Sequence, residues 1–283
     1  MDAKKSSIHE IIQANNQQYT VPLFQRPYSW EKKQWQDLWD DVKDLCESEN
    51  PRPHFMGSLV TMPNKLFPEG LNKFLLIDGQ QRLTTIFIIL AVIRDQAKKN
   101  EITQELGEEI QETILVNKYK KELEYYKLLP TQIDRDDFFK IINNEHKNNN
   151  SSINDCYKFF DKEIQRSKLD LKKIKDIICS KLSVVSVTLD NDDEPHLVFE
   201  SLNAKGKELT QADLIRNYFF MGIDPKDQDS VYQQYWLPMQ KLLGDNLTEF
   251  IRHYLTKSGQ FVKQNEVYFT LKDQINNNEN KNL

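Results

Sequence analysis

The stretch that decides the fold is KFLLIDGQQR, Lys73 to Arg82, followed by the apolar run LTTIFIILAVI, Leu83 to Ile93. The first part of this stretch is short, apolar and free of glycine and proline, which predicts a buried strand. The run that follows is apolar on every side, as expected of a helix buried in a core. The polar residues between them, Asp78 to Arg82, must therefore form a turn from strand to helix.

This polar turn has the features of an anion site. Gly79 allows a tight turn and the close approach of a ligand. The start of the helix offers unpaired N–H groups and a positive dipole end, and Arg82 adds a planar cationic fork for phosphate oxygens. The same residues also suit a capped helix without a ligand, in which Asp78 is the cap, Gln81 completes a capping box and Arg82 pairs with a structural carboxylate.

Composition limits the classes of function that remain. The chain has 283 residues, 29% of them charged, and a formal net charge of -5. Strong non-specific affinity for duplex DNA is therefore not expected of this segment alone. Its three cysteines are far apart and fit no metal or disulfide pattern. No signal peptide or run long enough to cross a membrane is found, so we expect a cytoplasmic protein without a membrane partner.

The segments upstream of the turn complete a small α+β core. Gln18 to Phe24 is typical of an extended strand, and Phe55 to Met62 of a second strand. Between them, a helix from about Trp30 to Glu47 is expected to begin at Ser29 as its cap. The predicted fold class is α+β, with a small mixed sheet, a large helical insertion and a helical C-terminal part.

After residue 100 the sequence becomes rich in charged and amide residues, with apolar residues at helical spacing. Leu182 to Leu189 is β-branched and alternating, which predicts a strand. A helix is expected from His196 to Asn203, and another from Gln211 to Met221 with Thr210 as its cap. The division that we predict is an α+β core in 1–100, a helical insertion in 101–181, a returning strand and helices in 182–222, C-terminal helices in 223–273 and a disordered tail in 274–283.

Three segments together resemble a known family. They are VPLFQRPYSW (Val21 to Trp30), IDGQQRLTT (Ile77 to Thr85) and FESLNAKGKELTQADLIRN (Phe199 to Asn217). Their order and spacing resemble the N-terminal domain of GmrSD-type, modification-dependent restriction proteins, the part called GmrS. The resemblance continues through the helical middle, in YYKLLPTQIDRDDFFKII and INDCYKFFDKEI. It implies a core similar to the ParB/sulfiredoxin fold.

The resemblance also implies a function. Family members bind and hydrolyse nucleoside triphosphates with a divalent metal, and so gate the cutting of modified or phage DNA by an HNH nuclease region. We therefore expect a nucleotide-binding, Mg²⁺-dependent NTPase whose partners are a nucleoside triphosphate, an HNH nuclease region or subunit, DNA and further copies of itself. Nothing similar to the HNH region occurs up to Leu283, so we expect either a separate S-type subunit or part of a longer protein. The alternative is a non-catalytic sensor of nucleotide or modified DNA.

The DGQQR signature of the family matches Asp78, Gly79, Gln80, Gln81 and Arg82. The resemblance implies that Arg82 and the amides from Gly79 onward hold phosphates. Asp78 would hold Mg²⁺, since hard cations prefer carboxylate oxygens, or would only cap the helix. Gln80 or Gln81 would orient the attacking water, as a glutamine does in small GTPases, or would only cap the helix.

The FQRxYxW signature matches Gln25, Arg26, Tyr28 and Trp30. Arg26 would supply a second cation at the phosphates, or would only bridge to Asp37 or Asp40. The two readings of Arg26 are equally compatible with the sequence.

The aromatic residues of this signature and the third segment are also open to two readings. Tyr28 and Trp30 would pack on a base or in the core, with the core favoured for Trp30. Asn203 and Gly206 match the third signature. Asn203 would reach the nucleotide pocket or would simply form a turn before Gly206.

Overall fold

The computed structural model describes residues 2–12, 16–63, 71–145, 150–190, 193, 210–223, 225–257, 259 and 261–279. The chain forms two compact units. The first contains Met1–Pro22 and Pro27–Asp193, and the second contains Leu23–Arg26 and Glu194–Leu283. The short segment Leu23–Arg26, which connects two parts of the first unit in sequence, thus belongs to the second unit.

The first unit is built on a six-stranded mixed sheet. Its strands are β1 (Asp2–Ser7), β2 (Gln17–Thr20), β3 (His54–Pro63), β4 (Asn72–Asp78), β5 (Leu128–Leu129) and β6 (Leu182–Thr188). Their order across the sheet is β1-β6-β3-β4-β2-β5. β3 is antiparallel to β4 and parallel to β6, while β2 is parallel to both β4 and β5. This mixed sheet, with many helices around it, confirms the predicted α+β class.

The helices of the first unit share one hydrophobic core with α3. They are α1 (Ile8–Ile12), α2 (Lys32–Glu47), α3 (Gln80–Ala97), α4 (Gln104–Glu109), α5 (Gln132–Ile142), α6 (Ser152–Ser167) and α7 (Leu171–Lys181), with a π-helix (Ile110–Leu115) and a 3₁₀ turn (Glu122–Tyr125). Every residue of α3 from Ile86 to Ile93 is 0% exposed. Burying each large side chain of this run stabilises the fold by about 1.5–3 kcal/mol before entropy is counted. The prediction of a fully buried helix is confirmed.

Two expected boundaries of this unit are wrong. β2 ends at Thr20 rather than continuing to Phe24. α2 begins at Lys32, and its cap is Glu31 in a capping box with Gln34, rather than Ser29. The Glu31 N–H donates to Gln34 Oε1 at 3.0 Å, so the local pair displaces the serine as the cap.

The helical insertion contributes to the core of the first unit. Arg94 of α3 is 0% exposed, and its Nη2 donates to the carbonyl of Ile141 in α5 at 2.7 Å. Asp95 balances this charge at 2.7 Å from Nε and accepts a hydrogen bond from Tyr157 of α6 at 2.8 Å. Lys127 donates to backbone carbonyls, and burial lowers the pKa of Lys127 to about 8. The buried Arg94–Asp95 pair thus bonds α3 to both α5 and α6.

The second unit is helical in its described part. Its helices are α8 (Gln211–Gly222), α9 (Pro225–Val231), α10 (Leu237–Leu243), α11 (Leu247–Thr256) and α12 (Val267–Glu279), with a π-helix (Tyr232–Trp236) and 3₁₀ turns (Gly244–Asn246 and Gln264–Glu266). Thr210 caps α8 in a capping box with Asp213, which confirms the prediction. Residues 274–279 of the expected disordered tail are helical. The helix expected from His196 to Asn203 lies outside the described residues.

Phe24 joins the core of this second unit. Its ring stacks on Phe220 with the centroids 6.1 Å apart, and its carbonyl accepts a hydrogen bond from the buried Arg216.

The three cysteines of the chain are free and buried. Among the described residues, none of the helices combines the length and the apolar character needed to cross a membrane.

Candidate functional site

The candidate site lies where β4 passes into α3. Gly79 is the N-cap of α3 and adopts the left-handed conformation, with φ 92° and ψ 6°. A Cβ at this position would lie 2.7 Å from Leu59 Cδ1 and 3.1 Å from the Ser58 carbonyl oxygen. The turn therefore requires glycine both for its backbone conformation and for its contact with β3.

The predicted capping box at this turn is wrong. The cap residue Gly79 makes no side-chain cap hydrogen bond. Oδ2 of Asp78 accepts hydrogen bonds from Ser58 Oγ at 2.9 Å and from Arg82 Nη2 at 3.1 Å. Since both donors belong to side chains, the Asp78 carboxylate serves as a partner of the arginine rather than as a helix cap.

Gln81 also has a partner outside the helix. Its Oε1 accepts a hydrogen bond from the Ser29 N–H at 2.8 Å, and its Nε2 donates to the Pro27 carbonyl at 3.2 Å. The side chain thus holds the extended segment that leads into α2. Its neighbour Gln80 is buried at the start of α3.

Arg82 is held against β3. Its Nη1 donates to the Met56 carbonyl at 3.3 Å, and its Nη2 donates to the Ser58 carbonyl as well as to Asp78. The guanidinium lies on Gly57, which has a φ of 114°, and a Cβ there would collide with Nη1. Among the described residues, Nε of Arg82 is a buried donor without a hydrogen-bond partner. The side chain remains 25% exposed.

The exposed side of Arg82 faces an open groove of about 310 Å³. The groove runs along one face of α2 to the start of β3. It is lined by Trp30, Gln34, Asp37, Leu38, Asp41, His54, Phe55, Met56 and Arg82. Its volume lies at the lower end of the range of about 300–1,000 Å³ for small-molecule sites. The groove offers a permanent cation, an imidazole, carboxylates and aromatic surface.

The groove contains two aromatic side chains and a pair of polar side chains. Trp30 is half-buried and packs against the core, as the sequence analysis favoured. It also lines the groove. Phe55 is 58% exposed. His54 Nε2 lies 3.2 Å from Asp41 Oδ2. The side chains of His54 and Asp41 are 37% and 43% exposed.

Tyr28 belongs to the core of the first unit. Its hydroxyl lies 2.6 Å from Thr85 Oγ1, accepts a hydrogen bond from Trp35 Nε1 at 2.8 Å and donates to Cys156 Sγ at 3.3 Å. Burial raises the pKa of Tyr28 well above its usual value. This placement favours the core reading of Tyr28 over packing on a base.

The structure thus brings together part of the predicted site. Asp78, Gly79, Gln81 and Arg82 share one turn and its immediate surroundings, within the first unit. Gln25 and Arg26 belong to the second unit. Asn203 and Gly206 lie outside the described residues.

Sequence reasoning missed four polar residues of the groove. They are Gln34, Asp37, Asp41 and His54. The helical spacing of the first three places them on one face of α2, beside its buried residues. This spacing could have predicted that they lie together. The position of His54 depends on how β3 lies beside α2, and no local pattern carries that information.

The hydrogen bonds at the turn fall on one oxygen of Asp78, so a Mg²⁺ ligand role would rest on its other oxygen, Oδ1. Its Oδ2 already accepts two hydrogen bonds, one from a cationic group. Within the described ranges, no three His, Cys, Asp or Glu side chains are grouped so as to hold a metal ion. The carboxylates that line the groove are Asp37 and Asp41.

Fold and site together define an α+β protein in which an arginine-bearing strand–turn–helix borders an open groove. The family model described as the GmrSD restriction endonuclease, N-terminal domain, matches residues 8–220. The chain belongs to this family and is thereby a component of a restriction system. A search of curated proteins gave no match.

Proposed function

We propose that this chain binds a nucleoside triphosphate in the groove at Arg82, hydrolyses it and thereby regulates a nuclease that acts on DNA. The observation that carries the proposal is the placement of Arg82. The guanidinium is fixed by Asp78 and by two carbonyls of β3, and it borders an open groove at the start of a buried helix. A pre-oriented, planar cation is well suited to bind phosphate oxygens.

The other groove residues support a nucleotide more than a simple anion. Trp30 and Phe55 offer apolar ring surface to a base. Mg²⁺ would accompany the triphosphate and offset its charge. On Asp78 this ion would bind Oδ1, because Oδ2 is engaged by Ser58 and Arg82.

The proposed partners follow from the family. A restriction endonuclease acts on DNA, so DNA and an HNH nuclease region or subunit are the proposed partners of this domain. Nucleotide turnover in the groove would then control when the nuclease cuts. We also propose that the chain forms a homo-oligomer and is located in the cytoplasm.

The test compares two arginine variants of the purified chain. Arg82→Ala should lower Mg²⁺-dependent phosphate release to background, because the cation at the phosphates is lost. Arg166→Ala is the matched control, since Arg166 is 63% exposed on α6 and lies outside the groove. Circular dichroism verifies that both variants fold. Normal turnover by a folded Arg82→Ala would contradict the proposed function.

A second candidate function is a non-catalytic nucleotide sensor. The contacts of Gln81 with Ser29 and Pro27 favour it, because they give this side chain a structural role instead of the role of orienting water. A sensor would bind each triphosphate without releasing phosphate. Calorimetric binding beside a phosphate-release assay on the same sample separates the two functions.

A further inference from the structure

We propose that His54 is the general base of the nucleotide hydrolysis and that Asp41 is its positioning residue. This inference rests on the function proposed above and adds a residue for the attack of water. It starts from a gap in the predicted site. Gln81 is held by backbone groups of the segment before α2, and the Asp78 carboxylate is held by Ser58 and Arg82.

The geometry of the His54–Asp41 pair suits this role. Nε2 of His54 lies 3.2 Å from Oδ2 of Asp41, which pairs the imidazole with the carboxylate. A neutral ring that keeps its proton on Nε2, next to this carboxylate, has its lone pair on Nδ1, where it can accept a proton. Both side chains are partly exposed in the groove. A histidine oriented by a carboxylate is the usual arrangement of a general base.

The charges around His54 are compatible with this role. Asp37 and Asp41 from α2 and Arg82 from α3 are the charged groups that line the groove with it. The acidic residues stabilise the imidazolium formed when the base takes a proton. Arg82 lies on the wall of the groove where the phosphates are proposed to bind, so base and cation face the same space.

The step balances in atoms and electrons. The oxygen of a water molecule forms a bond to the terminal phosphorus, and the bond from that phosphorus to its bridging oxygen breaks. The electron pair of the broken bond stays on the departing nucleoside diphosphate. The proton of the water passes to Nδ1 of His54 and later to solvent. Arg82 stabilises the charge on the phosphoryl oxygens.

The experiment measures turnover and binding separately in the purified full chain. His54→Ala should lower kcat about 100-fold, within the usual range for loss of a general base, while the Kd for a non-hydrolysable triphosphate with Mg²⁺ stays unchanged. Added imidazole should restore part of the rate. His9→Ala is the matched control, because His9 is exposed on α1 and does not line the groove.

The pH profile distinguishes catalysis from packing. The acidic limb of the kcat profile should disappear in His54→Ala, since the group that must lose a proton is gone. In Asp41→Asn the shape of the pH profile should change, because the partner that orients the imidazole is altered. A merely structural role of Asp41 would lower the rate at every pH alike.

A readout that does not depend on turnover completes the test. In chain labelled with ¹⁵N-histidine, the non-hydrolysable triphosphate with Mg²⁺ should shift the ring signals of His54 and leave those of His9 in place. Full kcat in His54→Ala would overturn the His54 proposal and leave the NTPase function standing. If the wild-type chain bound the triphosphate without turning it over, the NTPase function would be overturned in favour of a sensor, and the His54 proposal with it. Absence of binding would overturn both proposals.

Discussion

At the scale of single residues, the candidate site depends on a glycine that no motif indicated. Gly57 lies in β3 beneath the guanidinium of Arg82, and the pairing of β3 with β6 shifts register between Phe55 and Ser58. The irregular backbone brings the carbonyls of Met56 and Ser58 to Arg82. Gly57 is thus the residue that lets β3 hold the arginine.

Gly57→Ala should destabilise the first unit. The φ of 114° is unfavourable for alanine, and the new Cβ would collide with Arg82 Nη1. We expect a loss of about 1–3 kcal/mol in the free energy of unfolding from the backbone strain alone. Urea denaturation followed by tryptophan fluorescence measures this loss.

Two further variants control this prediction. In the Arg82→Ala background, Gly57→Ala should cost less, because the collision is removed and only the strain remains. Gly222→Ala should not destabilise the chain, since no atom lies within 4 Å of a Cβ at that position. Equal costs of Gly57→Ala in both backgrounds would argue against the collision.

At the scale of elements, the sequence predicted the strand–turn–helix but not its partners. β4 and α3 follow from local apolar patterns, and the need for Gly79 follows from the tight turn between them. The capping box failed because Asp78 and Gln81 have partners on β3 and before α2, which are distant in sequence. The short β5 was missed for the same reason, since it is a strand only through pairing with β2.

Gln81→Ala tests how the turn holds the segment before α2. The variant leaves the Ser29 N–H and the Pro27 carbonyl without their amide partner, which should cost about 1–3 kcal/mol of stability. Hydrogen exchange at the Ser29 amide should become faster. Gln36→Ala is the control, because among the described residues Gln36 bonds only to Asp40, on the surface of α2.

The two measurements also separate the readings of Gln81. A glutamine that only orients water would leave stability and the exchange of Ser29 unchanged and lower turnover alone. A structural glutamine changes the stability and the exchange rate first. The contacts with Ser29 and Pro27 lead us to expect the second result.

At the scale of the whole molecule, the described residues form two hydrophobic cores. One surrounds α3 and includes Phe87, and the other includes Phe24, Phe220 and Trp236. The sequence does not reveal this division, because no linker rich in proline or glycine marks a boundary between the two units. Leu23–Arg26 joins the second unit through contacts with residues far along the chain, and local patterns cannot reveal such contacts.

A pair of phenylalanine variants tests this division. Phe24→Ala should weaken the second unit, because it removes the ring that stacks on Phe220. Phe87→Ala should weaken the first unit, where Phe87 is 0% exposed. Each substitution should cost about 3–5 kcal/mol in its own unit.

Native-state hydrogen exchange followed by mass spectrometry reads the two units in one sample. Phe24→Ala should speed exchange in α8 and α12 and leave α3 and β4 protected, and Phe87→Ala should give the opposite pattern. The result matters for function, because Arg26 follows Phe24 in the segment that belongs to the second unit. If Phe24→Ala instead exposed α3 as strongly as α8, the two cores would unfold as one. The assignment of Leu23–Arg26 to a separate unit would then be wrong.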